Sequence, residues 1–112
     1  DSIRPTLYDA YHHIQPVRED AGQGAVMRGD VVGPVCETGD YFARERQMPA
    51  FQQGDLLAVM TAGAYGAVQS GTYNTRPLVA EVMVKGGNWA LIRPRQTCEE
   101  LIGLDRIAPW QE

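Results

Sequence analysis

Residues 33–40 read Gly-Pro-Val-Cys-Glu-Thr-Gly-Asp, and this stretch constrains the fold more than any other. Glycine and proline here mark tight turns rather than regular structure. Cys36 and Glu37 are therefore expected on a shaped loop leaving a strand. Binding and catalytic side chains are often held in that way. A thiol beside a carboxylate suits acid/base work, recognition of an ammonium group, or no more than the filling of a turn.

The 112 residues suffice for one domain with a single core. Hydrophobic residues make up 44% and charged residues 21%, as in ordinary globular proteins. The net charge is −4 and the arginines are scattered, which leaves no electrostatic footprint for nucleic acid. No apolar run approaches the roughly 18–20 residues that span a bilayer. The polar opening Asp1-Ser-Ile-Arg4-Pro has neither a signal-peptide pattern nor an initiator Met. The expectation is a piece of a longer chain.

Two cysteines, Cys36 and Cys98, are fewer than a secreted scaffold of this size would carry. They point to a reducing, cytoplasmic setting with free thiols; one long-loop disulfide is the alternative. Neither belongs to a Cys-x-x-Cys or Cys/His cluster, so no structural zinc site is expected. His12 and His13 are adjacent and face opposite sides of a strand, a poor arrangement for one metal.

Along the chain, Ser2 and Pro5 suit the start of a short helical turn over residues 2–10. Tyr11 to Val17 reads as a strand limited by Pro16, and residues 18–24 as loop. Gly24 to Val35 reads as a strand with a bend or hairpin at Arg28-Gly-Asp30. Asp40 is placed to cap a short helix over Tyr41 to Met48, stopped by Pro49. A turn at Gln53-Gly54-Asp55 precedes a buried strand from Leu56 to Thr61. Gly63-Ala-Tyr65-Gly66 reads as a glycine-flanked loop presenting one phenol, and residues 67–77 as irregular or briefly helical. Leu78 to Val84 alternates as a strand, Gly86-Gly87-Asn88 turns, and Trp89 to Ile92 returns. Thr97 with Glu100 resembles a capping box for a helix to Leu101. The expected fold class is mainly β, with short helices in the connections. Closure into a barrel or sandwich would protect the strand edges. Core candidates are Leu56, Val59, Val82, Val84, Trp89 and Ile92.

Four pieces stand in order: Ile3-Arg4-Pro5-Thr6-Leu7-Tyr8, the 33–40 stretch, Gly63-Ala-Tyr65-Gly66, and Tyr73-Asn-Thr-Arg76-Pro77. The set resembles, over essentially the whole chain, the C-terminal portion of the diaminopimelate decarboxylase family. These are pyridoxal-phosphate (PLP) enzymes of the alanine racemase-like, fold-type III group. Relatives of the ornithine type carry Asp after the Cys, where this chain has Glu37. The resemblance implies a β-barrel-like C-terminal domain of the alanine racemase/ornithine decarboxylase type. It also implies an N-terminal (β/α)₈ barrel, absent from this chain, that holds PLP on a Schiff-base lysine. The single lysine here, Lys85, lies in nothing like that motif and reads as a solvated hairpin residue. The resemblance further implies that the first strand of the β domain precedes the (β/α)₈ barrel, so that this chain lacks one strand of its sheet.

Arg4 and Tyr8, four apart, would share one face of a helical turn. That spacing suits a clamp on a substrate's distal carboxylate, or a surface arginine lying against a tyrosine; the resemblance favours the clamp. It assigns Glu37 to the distal ammonium group, where a misfit substrate would leave a carboxylate buried and unpaired. It places Cys36 near the α-carbon as proton donor after CO₂ leaves. Tyr65 would hydrogen-bond the PLP phosphate or lie close to the ring and substrate. Cys36 and Glu37 would reach into the neighbouring subunit's site, which requires a homodimer. Tyr73, Asn74, Arg76 and Pro77 are assigned to structure or the dimer interface, and no role is assigned to the histidines.

The implied reaction converts meso-diaminopimelate, a small amino acid, to L-lysine and CO₂, and the chain alone is expected to be inactive. Two alternatives stand beside it. One is a related decarboxylase acting on carboxynorspermidine, ornithine or arginine. The other is a stand-alone, non-catalytic β-barrel module.

Overall fold

The structure is a computed structural model and describes residues 10–20 and 24–111. The chain divides into two compact units, Asp1–Ser70 and Gly71–Glu112. The described residues of the first unit contain strands β1 (Ile14–Pro16), β2 (Val26–Val32), β3 (Tyr41–Pro49) and β4 (Leu57–Val59), and helix α1 (Gly63–Val68). Those of the second contain β5 (Glu81–Lys85), β6 (Asn88–Arg93), helix α2 (Cys98–Ile102) and 3₁₀ turns at Tyr73–Thr75 and Pro109–Gln111. The mainly-β expectation holds. The strands pair as three antiparallel two-stranded ladders, β1 with β4, β2 with β3, and β5 with β6. No closed barrel forms among the described residues.

In the first unit, β1 alternates between buried and exposed positions. His12 and Ile14 turn inward, while His13 and Gln15 turn outward. β4 lies against β1 with Ile14 opposite Val59 and Pro16 opposite Leu57. Backbone bonds from Met60 to His13 and from Val17 to Leu56 extend this ladder at both ends. His12 Nδ1 lies 3.1 Å from the Met60 carbonyl, which gives this buried ring a structural partner. Arg46 of β3 stacks over the Tyr11 ring at 4.0 Å and donates from Nη1 to the His12 carbonyl. β3 is thus tied to the segment that enters β1.

β3 replaces the helix expected over Tyr41 to Met48 from the Asp40 cap and the Pro49 stop, and it is an irregular strand. Its buried residues, Ala43 and Met48, are five apart, an odd spacing that no regular strand places on one face. Two register shifts account for it. Gly29 pairs with Arg46 and Val31 with Ala43, so Asp30 alone faces Arg44 and Glu45. A second shift follows between Val31 and Val32. The extra residue in the first bulge restores an even effective spacing, and both side chains reach the core. Glu45 takes the left-handed conformation (φ 46°) that the bulge demands. Asp30 Oδ1 accepts its N–H at 2.6 Å, and Arg28 Nε donates to its carbonyl at 3.1 Å. Arg28-Gly-Asp30 is therefore a continuous strand facing a bulge, and the bend expected there lies in its partner.

Among the described residues the buried apolar set is Ile14, Val35, Ala43 and Met48, all in the first unit. Burial of side chains such as Ile14 and Met48 contributes about 1.5–3 kcal/mol each. The core candidates named from alternation are corrected. Leu56, Val82, Val84, Trp89 and Ile92 are exposed, and Val59 is half-buried. The alternation was real, but a two-stranded hairpin has two faces and needs a second layer to cover either. Val82 and Val84 share one face with their cross-strand partners Leu91 and Trp89, and that face is open in this chain.

In the second unit the hairpin turns at Gly86-Gly87, with Gly86 at φ 59°, and Lys85 closes it opposite Asn88. The strand begins at Glu81 rather than at Leu78. Gln96 holds Leu78 from both sides, its N–H on the Leu78 carbonyl and its Oε1 on the Leu78 N–H. The Glu81–Arg93 ion pair closes the open end of the hairpin. The capping box forms as expected: Thr97 Oγ1 accepts from Glu100 N–H at 3.1 Å, and Glu100 Oε2 accepts from Thr97 N–H at 2.8 Å.

The bulge gives a stability prediction. Asn tolerates the left-handed region at position 45, whereas a β-branched side chain strains there. In chemical unfolding of the intact protein, Glu45→Val is expected to be about 1–2 kcal/mol less stable than Glu45→Asn. Equal midpoints for the two variants would show that the left-handed geometry costs nothing.

Candidate active-site loop

The loop joining β2 to β3 carries Cys36 and Glu37, and its shape is set by Asp40. This carboxylate was expected to cap a helix; with β3 in place of that helix, it braces the loop instead. Asp40 is only 8% exposed, and its Oδ2 accepts the Val35 N–H at 2.6 Å. Its carbonyl accepts the Gly33 N–H at 2.8 Å, and its own N–H donates to the Glu37 carbonyl at 3.1 Å. A Cβ at Gly33 would collide with the Asp40 carboxylate, so the glycine is needed for close approach rather than for backbone freedom. The Glu37 N–H donates to the Val35 carbonyl at 2.8 Å, closing a three-residue turn centred on Cys36.

Cys36 is exposed and its thiol is free, as is that of Cys98. Val35, its neighbour, is buried and anchors the loop to the core. Glu37 is half-buried, and its Oε1 accepts the Gly39 N–H at 3.0 Å. The carboxylate is thereby oriented by its own loop. A thiol presented to solvent and a carboxylate held alongside can deliver a proton and bind a cation.

Tyr65 stands on α1, in place of the expected loop. Backbone bonds from Gly66 to Ala62 at 2.6 Å and from Gln69 to Tyr65 at 2.9 Å close the helical turns, and the Ser70 hydroxyl donates to the Gly66 carbonyl. The two glycines did not prevent a helix this short. Tyr65 is 49% exposed, and a Cβ built at Gly63 meets nothing within 4 Å. The segment is thus open to an approaching group. Arg4 and Tyr8, with the helical turn expected over residues 2–10, lie outside the described residues. Cys36 and Glu37 share one braced loop, and Tyr65 is carried by a separate element of the same unit.

Sequence reasoning missed the true role of Asp40 as the brace of this loop. The available signal was the pairing of Gly33 with an acidic residue at the loop's far end. Among the described residues, no group of three or more His, Cys, Asp or Glu side chains is placed to hold a metal, and no helix is long and apolar enough to cross a membrane.

The chain is similar to proteins of one known family. Residues 1–63 match the family model described as pyridoxal-dependent decarboxylase, C-terminal sheet domain. Diaminopimelate decarboxylase of Zymomonas mobilis is 54% identical over 110 residues, covering 98% of this chain and 25% of that protein. The enzyme of that name from Aquifex aeolicus is 47% identical over 102 residues, covering 91% of this chain and 24% of that protein. A crystal structure of diaminopimelate decarboxylase from M. jannaschii in co-complex with L-lysine superposes with a TM-score of 0.85 at 34% identity, over 96% of this chain and 24% of that one. The chain spans about a quarter of the length of these relatives. With more than half of its residues matching the family model, the chain belongs to the pyridoxal-dependent decarboxylases, in the part that forms their C-terminal sheet domain.

Proposed function

We propose that this chain is the C-terminal part of a decarboxylase that converts meso-2,6-diaminopimelate to L-lysine and CO₂. The observation that carries this reading is the near-complete coverage of the chain by relatives named diaminopimelate decarboxylase, at 44–54% identity. The braced loop supports it. Glu37 supplies a carboxylate for a distal ammonium group, and Cys36 supplies an exposed thiol. Arg4 and Tyr8 supply the complementary clamp for a distal carboxylate. Together they suit a substrate carrying both groups at its far end, which ornithine and arginine do not.

The residues present fit a peripheral share in PLP binding. The half-exposed Tyr65 phenol can donate to a phosphate oxygen, and the space beside Gly63 admits close approach. Lys85 is an exposed hairpin residue, so the lysine that carries the cofactor belongs to the remaining part of the protein. When bound, the cofactor accepts the electron pair left by the departing carboxylate. This chain's residues orient the substrate: Glu37 and Arg4 hold its distal charges so that the correct stereocentre meets the cofactor, and the Cys36 thiol holds the proton that replaces CO₂ at the α-carbon. In the proposed assembly, a cytoplasmic homodimer, Cys36 and Glu37 complete the partner subunit's site.

The test of substrate is an assay of the full-length protein on meso-diaminopimelate, with ornithine and arginine as controls. Turnover is expected for meso-diaminopimelate alone. Preferential turnover of either control would overturn the assignment.

Glu37→Gln keeps the acceptor for the Gly39 N–H and removes the charge, so the loop should survive while ammonium recognition fails. A loss of roughly 10- to 100-fold in kcat/KM is expected, with an unchanged melting temperature. An unaltered kcat/KM would remove Glu37 from the site. Cys36→Ala should lower kcat by about two orders of magnitude or more, in line with the loss of a positioned proton donor. Its PLP absorbance should be unaltered, and wild-type turnover would leave Cys36 with a structural role alone.

A further inference from the structure

Of the two side chains that bond to the main chain of the β2–β3 loop, Glu37 and Asp40, only Asp40 is not itself assigned to the substrate. Asp40 is buried, yet it is a carboxylate. A buried carboxylate is costly unless its hydrogen bonds are worth more than its lost hydration. Here the partners are main-chain groups of the loop itself. The side chain reaches back five residues to the Val35 N–H, and the main chain grips Gly33 on one side and Glu37 on the other. A brace that spans both ends and the middle of an eight-residue excursion leaves little freedom to the residues between. Cys36 is the central residue of the three-residue turn that Val35 and Glu37 close, so fixing Val35 fixes the direction in which the thiol leaves the backbone.

Gly33 gives independent support. The space where its Cβ would lie is taken by the Asp40 carboxylate, so a side chain at residue 33 would compete with that carboxylate for one place. The backbone at Gly33 needs no left-handed conformation, because positive φ among the described glycines occurs only at Gly24, Gly54 and Gly86. Residues 33 and 40 therefore form one device, a carboxylate and the gap that receives it.

We propose that Asp40 is the positioning residue of the site. Through the Val35 N–H, it holds the Cys36 thiol and the Glu37 carboxylate in the one loop geometry that serves the substrate, and Gly33 is the gap that admits it. This rests on the reading above that Cys36 and Glu37 face the substrate. Asp40 acts through the main chain and is not itself a catalytic residue. The effect depends on its acceptor oxygen rather than on its charge, because the group it holds is a neutral amide.

The test uses the full-length holoenzyme with Asp40→Ala, Asp40→Asn and Gly33→Ala. Three readouts are taken on each: the rate at which iodoacetamide labels Cys36, followed by peptide mass spectrometry; kcat and KM on meso-diaminopimelate; and PLP absorbance. Asp40→Ala and Gly33→Ala are expected to label Cys36 at least threefold faster, because an unbraced loop exposes the thiol in more conformations. Both should lose about tenfold or more in kcat/KM with PLP absorbance retained, the size expected when reacting groups are misplaced by a fraction of an ångström to an ångström. Asp40→Asn preserves the acceptor and is expected to stay within threefold of wild type on both counts. Labelling and kcat/KM within twofold of wild type in Asp40→Ala would overturn the proposal, as would an Asp40→Asn variant as impaired as Asp40→Ala. Labelling does not depend on which substrate is turned over. If the wild-type enzyme fails on meso-diaminopimelate while Asp40→Ala still accelerates labelling, the substrate assignment falls and the brace stands.

Discussion

The β2–β3 connection of the first unit depends on a buried carboxylate bound to one main-chain amide, that of Val35. Asp40 closes the β2–β3 connection, and in doing so it sets where β3 begins and how Val35 enters the core. The Gly33–Asp40 backbone bond is the last rung before the loop opens, and the side-chain bond to Val35 lies just inside it. A short hydrogen bond in a buried site is stronger than the same bond at the surface. One interaction therefore joins the packing of the sheet to the display of Cys36 and Glu37.

Bulges do the complementary work inside β3. A strand with an even repeat would bury either Ala43 or Met48, and the other would face solvent. The left-handed Glu45 inserts one residue, so the strand keeps both inward and turns Arg46 toward Tyr11 and His12. Asp30 and Arg28 satisfy the bulged backbone from the opposite strand. Acidic side chains at 30 and 40 thus solve the same problem twice, by accepting main-chain N–H groups that the regular ladder leaves over.

The two units differ in how complete they are. The first buries a small core. The second presents a well-paired hairpin whose Val82, Val84, Leu91 and Trp89 face is uncovered in this chain.

The sequence by itself determined what local chemistry controls. The Gly-Gly hairpin turn, the Thr97–Glu100 capping box, the strand ending at Pro16 and the loop position of Cys36-Glu37 each depend on residues within a few positions of one another. Their cause can be read along the chain. The family was legible for the same reason, because four short motifs in order carry it. What the tertiary structure decided was whatever depends on a partner strand. Tyr41 to Met48 looked helical because Asp40 offered a cap and Pro49 a stop, and only the pairing with β2 shows a bulged strand there. Asp40 looked like a helix cap because nothing local distinguishes a cap from a loop brace; the choice was made by β3 forming where the helix was expected. Alternating apolar residues in the hairpin marked a face correctly, but burial requires a second layer, and no sequence pattern within a strand specifies what covers it.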